Sequence, residues 1–374
     1  MTAIDVRAEA VAAAVAAALR TIDENIASFG AGYPGDTTAG GKYAERAGNV
    51  GWTTSFWPGM VWLAHELTGD PSYARAAAAH VPSFAERITT RSDVDTHDLG
   101  FLYTLSCVVP WELAGDTVAR DAAVAAADHL LTRVLEPAGI IQAWGDMTDP
   151  RQQGRTIIDS LMNTPLLFWA SEITGDPRYA EVARRHTVQL RDHILRPDGT
   201  TFHTFYWDPV TGEPLRGETE QGNSDESCWA RGQAWGIYGF ALNHRHTGDP
   251  TLRDAARTCA ERFLSRLPAD DVPYWDLVFG DGSGEERDSS AAAIAVCGLL
   301  TLGGERYRAA AGRILGSLID HYSTAARPES NALILHGVYD KPKGVGVDEG
   351  NLWGDYFYLE ALTRVTRPDW SDHW

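Results

Sequence analysis

The chain has 374 residues, 44% of them hydrophobic and 22% charged, the balance of a globular protein with a large core and not of a disordered, collagen-like or disulfide-framework chain. Asp and Glu outnumber Lys and Arg by 51 to 32, a formal charge of −19, which argues against a nucleic-acid or anionic-membrane partner. An acidic ligand therefore needs a local basic pocket.

In chain order, residues 6–19 form an Ala-rich apolar stretch that follows Asp5, carries Arg7 and Glu9, and runs on into Arg20, Asp23 and Glu24. Those charges separate it from the apolar segment of a secretory leader, so it reads as the first helix. No other part holds the ~18 consecutive apolar residues that a membrane span needs. One phrase then recurs: LTGDPSYARAAAAH (67–80), LAGDTVARDAAVAAADHL (113–130), ITGDPRYAEVARRH (173–186) and HTGDPTLRDAARTCAERF (246–263), with a looser copy in TLGGERYRAAAGRILGSLIDHY (301–322). Gly69, Gly175 and Gly248 suit the left-handed conformation that stops a helix, and Asp70, Asp176 and Asp249 can cap the next one. Pro71, Pro177 and Pro250 then take the first helical position, where a missing N–H costs nothing.

The phrase marks helical hairpins. Their spacing is too irregular for a tetratricopeptide or ankyrin array, whereas six hairpins of roughly 62 residues would fill the chain. The predicted fold is an all-α (α/α)6 toroid with inner and outer helix rings, and an open superhelix is the alternative. The aromatic segment WGDYFYLEAL (353–362) favours closure, because the terminal cap of a solenoid presents a polar face. No Ser/Gly/Pro-rich linker divides residues 1–374, which are read as one catalytic domain.

Cys107, Cys228, Cys259 and Cys297 form no C-x-x-C pair and no zinc spacing, and they read as reduced, buried thiols of a cytosolic protein. Trp and Tyr number 13 each, a richness that suits stacking against sugar rings as well as core packing. Residues 49–59, 141–160, 202–214 and 273–290 are rich in Gly and aromatics; they are expected to be loops or short strands, where a helical scaffold carries its binding chemistry.

Two carboxylates stand out. Asp98, after His97 and before an apolar run, is either a helix cap or a functional acid. Asp159 lies among Ile157, Ile158 and Leu161, surroundings that raise a carboxyl pKa and keep a proton near neutrality. Their separation of about one hairpin places them on adjacent inner helices, facing each other across a cleft, as in the unequal acid pairs of glycosidases. In QGNSDESCWARGQAWGIYGF (221–240), Trp229, Arg231 and Trp235 crowd with Gly232 and Gly236 in a pattern unlike a plain amphipathic helix. Arg231 between two indoles can fork onto a carboxylate.

The string SCWARGQAWGIYGF resembles the signature of glycoside hydrolase family 88, the unsaturated glucuronyl hydrolases. The resemblance continues in order through Trp52 to Trp57, His97 to Phe101, Ile157 to Asn163, Phe202 to Trp207, Pro273 to Leu277, Arg287 to Ala295 and Asn351 to Leu362. It implies an (α/α)6 toroid with no metal or other cofactor. The substrate it implies is an oligosaccharide ending in the 4,5-unsaturated uronic acid that a polysaccharide lyase leaves, and the reaction hydrates the vinyl ether. By this resemblance Asp159 is the general acid and base, protonating C4 and activating water for C5, and Asp98 is a second essential, ionised carboxylate. Trp52, His97, Trp144, His203, Gln221, Trp229, Arg231 and Trp235 match positions around the unsaturated ring.

On the residues alone, Arg231 with His203 is expected to supply the cation for a uronate, and Asp98 the anion for an oxocarbenium-like species. Lys341 and Lys343 in HGVYDKPKGVGVDEG (336–350) are candidates to reach the second sugar, but the segment lacks the Ser-and-Lys pattern of members that favour sulfated ends. The rivals are a rhamnogalacturonyl hydrolase of the related family 105, which the RGQAW segment disfavours, and a non-catalytic carbohydrate-binding toroid, which the two acids disfavour. An epimerase-type toroid would need paired catalytic histidines in an arrangement this chain lacks.

Overall fold

The computed structural model describes residues 7–149 and 151–374. Asp5 and Val6, which were counted with the first helix, lie outside them. The helices are α1 (Ala8–Phe29), α2 (Phe56–Thr68), α3 (Pro71–Ala78), α4 (Val81–Thr89), α5 (Leu99–Tyr103), α6 (Val109–Ala114), α7 (Thr117–Leu131), α8 (Thr164–Thr174), α9 (Pro177–His193), α10 (Ala230–Thr247), α11 (Pro250–Leu264), α12 (Ser289–Leu302), α13 (Glu305–Ser317) and α14 (Leu352–Thr366). A π-helical turn, Thr104–Val108, joins α5 to α6.

Burial sorts these helices into two rings. In α9 only one stripe is covered, Tyr179, Ala180, Ala183, His186, Thr187 and Leu190, the pattern of a helix with one face in solvent. In α10 every residue from Ala230 to Asn243 is buried, and α12 is buried from Ser289 to Leu299. Helices α2, α5–α6, α8, α10, α12 and α14 form the inner ring; α1, α3–α4, α7, α9, α11 and α13 cover it. Each inner helix packs on the next, and α14 packs on α2, so the ring closes as an (α/α)6 toroid and is no open superhelix.

The hinges behave as their chemistry dictates. Gly69 (φ 74°) and Gly248 (φ 71°) end α2 and α10 in the left-handed region, open to glycine at little cost. The side chains of Asp70, Asp176 and Asp249 accept from the amides of Ser72, Arg178 and Thr251, and Asp116 does the same for Val118 and Ala119.

Two expectations change. Residues 56–59 are the first turn of α2 and not loop, and α10 runs as a regular helix through Gly232 and Gly236. A helix packed on all sides needs no amphipathic pattern, and its glycines admit neighbours: a Cβ at Gly239 would lie 2.3 Å from Leu161 Cβ. Short antiparallel ribbons lie beyond the inner helices' starts, including Arg155–Ile157 with Thr204–Trp207 and Pro214–Glu218, and the hairpin Gly337–Asp340 with Val345–Glu349.

Candidate active site

All six inner helices start at the same end of the ring, where their aligned peptide dipoles place partial positive charge. A cavity of about 440 Å³ opens there. His97 and Asp98 immediately precede α5, Asp159 occupies the 3-10 turn Ile158–Met162 before α8, and Trp229 precedes α10. The two acids and the eight residues matched to the unsaturated ring in the sequence all line this one cavity: Asp98 and Asp159, with Trp52, His97, Trp144, His203, Gln221, Trp229, Arg231 and Trp235.

The acids come from adjacent inner helices, as expected, and a close backbone contact fixes their spacing. A Cβ on Gly100 would lie 2.2 Å from Asn163 Cα, so only glycine lets the start of α5 touch the turn that carries Asp159. The Phe101 amide donates to Asn163 Oδ1 at 2.7 Å, and Asn163 Nδ2 reaches the Asp159 carbonyl at 3.4 Å. Asp98 makes no capping hydrogen bond with its side chain. Instead it accepts from Thr96 Oγ1 at 2.7 Å and lies 3.2 Å from His97 Nε2, so its carboxylate faces the cavity's other titratable groups and not the helix amides.

His97 Nε2 is also 3.5 Å from Asp159 Oδ1, so one imidazole stands between two carboxyls. Burial pushes Asp159 up to about 7; Asp98 adds to the rise, while His97 and Arg231 oppose it. Burial also acts to raise Asp98, but the charge and hydrogen bond of His97, with that of Thr96, outweigh it and hold Asp98 below the usual carboxylate range. His97 is raised, the pull of Asp98 and then Asp159 overcoming the cost of burial. Near neutrality the set is an Asp98–His97 ion pair beside a carboxyl that keeps its proton for much of the time. The donor atoms of these three residues lie within 4.8 Å of one another, close enough to hold a metal ion, though a protonated Nε2 facing two acceptors accounts for that proximity by itself.

His203 departs from expectation. Burial, followed by the charges of Arg231 and Lys343, pushes it down to about 3, so it is a neutral imidazole and no cation. The amides of Glu220 and Gln221 donate to its Nδ1 at 3.0 and 3.2 Å, which leaves the proton on Nε2. Its ring lies 4.2 Å from that of Trp229.

Arg231 departs too. Its fork is already engaged: Nη1 lies 3.3 Å from Asp288 Oδ2 and donates to the Val338 carbonyl, while Nη2 donates to the Tyr339 carbonyl at 2.8 Å and to Gln221 Oε1 at 3.2 Å. Its guanidinium stacks on Trp229 at 4.3 Å and Trp353 at 5.0 Å. Arg231 thus ties the 337–340 strand to α10 and orients Gln221 while contributing charge from below.

Sequence reasoning missed Arg155, Ile157, Glu220 and Tyr339, which also line the cavity. Period-two alternation before Asp159 was the available signal for Arg155 and Ile157. Tyr339, whose hydroxyl accepts from Trp52 Nε1 at 3.1 Å, arrives from a distant hairpin and had none. Lys343 lines the cavity as well, but Lys341 pairs with Glu286 and Glu285 and is not among the lining residues.

A family model described as Glycosyl Hydrolase Family 88 matches residues 36–367. The chain is 46% identical over 366 residues to the unsaturated chondroitin disaccharide hydrolase of Streptococcus pyogenes serotype M1, covering 96% of this chain and 91% of that one. The crystal structure of unsaturated glucuronyl hydrolase from Streptococcus agalactiae superposes with a TM-score of 0.95 at 45% identity, covering 99% of this chain and 94% of that one. A variant of the S. agalactiae protein complexed with dGlcA-GalNAc6S gives 0.86 at 43% identity, covering 97% and 93%. The chain belongs to glycosyl hydrolase family 88 and is a glycosidase.

Proposed function

We propose that the enzyme removes a 4,5-unsaturated uronic acid from the non-reducing end of oligosaccharides by hydrating the vinyl ether. The carrying observation is the pair of unlike acids joined through His97 in an aromatic cavity. Asp159, raised to about 7, gives its proton to C4, and the positive charge that develops at C5 and the ring oxygen faces ionised Asp98. The Asp159 carboxylate then takes a proton from water as that water bonds to C5. The resulting hemiketal opens by breaking the C5–O5 bond, and the hemiacetal at C1 collapses to an aldehyde, releasing the next sugar as an alcohol. One water is consumed and the carboxyl ends protonated, ready to repeat.

Trp52, Trp144, Trp229 and Trp235 supply faces for the ring, while neutral His203 and the Gln221 amide supply donors. The uronate finds positive potential from Arg231 and the inner helix starts, which offsets the net negative chain. The S. agalactiae complex with dGlcA-GalNAc6S supports the substrate class. The described residues include no helix long and apolar enough to cross a membrane, and four buried, unpaired cysteines support a reducing, cytoplasmic setting.

The test follows the ultraviolet absorbance of the conjugated double bond in unsaturated disaccharides incubated in deuterated water. Loss of absorbance with deuterium entering C4 is expected. An intact double bond in the released sugar would overturn the hydration step.

A further inference from the structure

The cations of the cavity differ in what already holds them. Arg231 faces Asp288, and Lys343 Nζ lies 2.9 Å from Asp340 Oδ2. Arg155 lines the same cavity, yet among the described residues its guanidinium makes no ion pair, and its buried Nε has no hydrogen-bond partner. Glu220, also at the cavity wall, forms no ion pair with it. In a chain with 51 acidic residues, a half-buried guanidinium without a carboxylate is an unmet demand for an anion.

Its position is fixed. Arg155 pairs with Tyr206 across the ribbon, and its carbonyl accepts from the Ala143 amide at 2.9 Å. The guanidinium lies 5.2 Å from the Trp144 ring and 5.8 Å from the Tyr206 ring, aromatic contacts that order a planar fork and leave its edge free to pair. Arg155 and Ile157 share one face of the strand, about 7 Å apart. Ile157 is buried beside the turn that holds Asp159, whereas Arg155, two residues earlier, is half-buried. A substrate that sets C4 against Asp159 and extends along this strand brings its leaving sugar, and not its own carboxylate, over Arg155.

We propose that Arg155 pairs with an oxyanion, a sulfate ester or a carboxylate, carried by the sugar that follows the unsaturated uronate, and so sets the specificity of the enzyme. The inference rests on the reading under Proposed function. It also moves the recognition of sulfated ends, disfavoured on the 336–350 segment, to another wall of the cavity.

The experiment compares wild type, Arg155→Gln and Arg155→Lys on three disaccharides: dGlcA-GalNAc, dGlcA-GalNAc6S and an unsaturated uronate linked to a second uronic acid. Arg155→Gln is expected to raise KM about tenfold or more on whichever anionic substrate wild type prefers, the worth of a charge-assisted hydrogen bond. On dGlcA-GalNAc the rise in KM should be several-fold smaller than on the anionic substrate, the loss should fall on KM more than on kcat, and Arg155→Lys should recover part of it. The arm that responds distinguishes sulfate from carboxylate. An equal loss on all three substrates, or none on the anionic pair, overturns the assignment of Arg155 alone. No turnover of any substrate by wild type overturns the functional reading and this inference with it.

Discussion

The inner helices have two unlike ends. At the end opposite the cavity, residues 370–374 enter the ring and match nearly every charge they meet. His373 bridges Glu66 and Glu112 at 3.0 Å each, Asp372 pairs with Arg245 and Arg364 at 2.6 and 2.8 Å, and Trp374 Nε1 donates to Glu360 at 2.9 Å. These contacts staple α2, α6, α10 and α14 together. At the cavity end, by contrast, His97 Nδ1, Asp159 Oδ1 and Arg155 Nε are buried without a hydrogen-bond partner. Among the described residues, the far end pairs its charged side chains from within, leaving only neutral atoms such as His246 Nε2 and Thr104 Oγ1 without a partner; the cavity end leaves atoms of charged and titratable groups for a substrate to satisfy. Between them lies an aromatic column, with Phe101 5.3 Å from Trp235 on the cavity side and 5.9 Å from Trp374 on the other.

The sharpest way to break this contrast is Asp159→Asn. Losing a general acid and base is expected to lower kcat by about 10³-fold, within the usual range for such groups. Wild-type activity itself should fall as pH rises past about 7, because the acid form is the donor. The contribution of this carboxyl to stability should fall in the same direction, and at lower pH. The folded carboxyl titrates near 7 and the unfolded one near 3.8, so the folded state binds the extra proton, and that contribution, complete below 3.8, is lost as pH rises through 7. Melting temperatures measured across this range should show the variant gaining on wild type from pH 4 to 7. A constant difference would mean that Asp159 is not a desolvated acid.

At the stapled end, Trp374→Ala is expected to cost ~3–5 kcal/mol in denaturant unfolding, as for other large buried aromatics, while KM for an unsaturated disaccharide changes less than twofold. A large rise in KM at unchanged stability would dissolve the division of labour between the ends. Gly100→Ala probes the distance between the acids. The new methyl must push α5 away from Asn163, and a displacement of about 1 Å is enough to lower kcat on the order of 10²-fold, with the substrate still bound.

What could be read in advance follows how local each signal is. A Gly-Asp-Pro hinge carries its own geometry within three residues, so the hairpins were legible. The apolar setting of Asp159 is written in its immediate neighbours, so its raised pKa was legible too. Arg231 looked free because its partners, Asp288, Val338 and Tyr339, are 57 to 108 residues away. His203 looked like a cation because the amides that hold its Nδ1 belong to a loop 17 and 18 residues on. Charge state at this site is a property of tertiary partners, and a motif names the side chain without naming what it faces.

The outer hinges give the smallest expected effect and a control for both ends. Asp70 accepts from the Ser72 amide at 2.8 Å, and this bond holds its carboxyl below the ordinary range. Asp70→Ala removes the cap of α3 and should destabilise the fold slightly, read as a lowered urea midpoint at unchanged slope. Because the folded pKa is depressed, the cap's contribution is present above the unfolded pKa and is lost as pH falls through the folded one. The gap between variant and wild type should therefore close in acid, opposite to the trend for Asp159→Asn. Activity should be untouched, since α3 belongs to the outer ring and contributes no side chain to the cavity. A loss of turnover here would mean that the outer ring positions the acids as well as covering them.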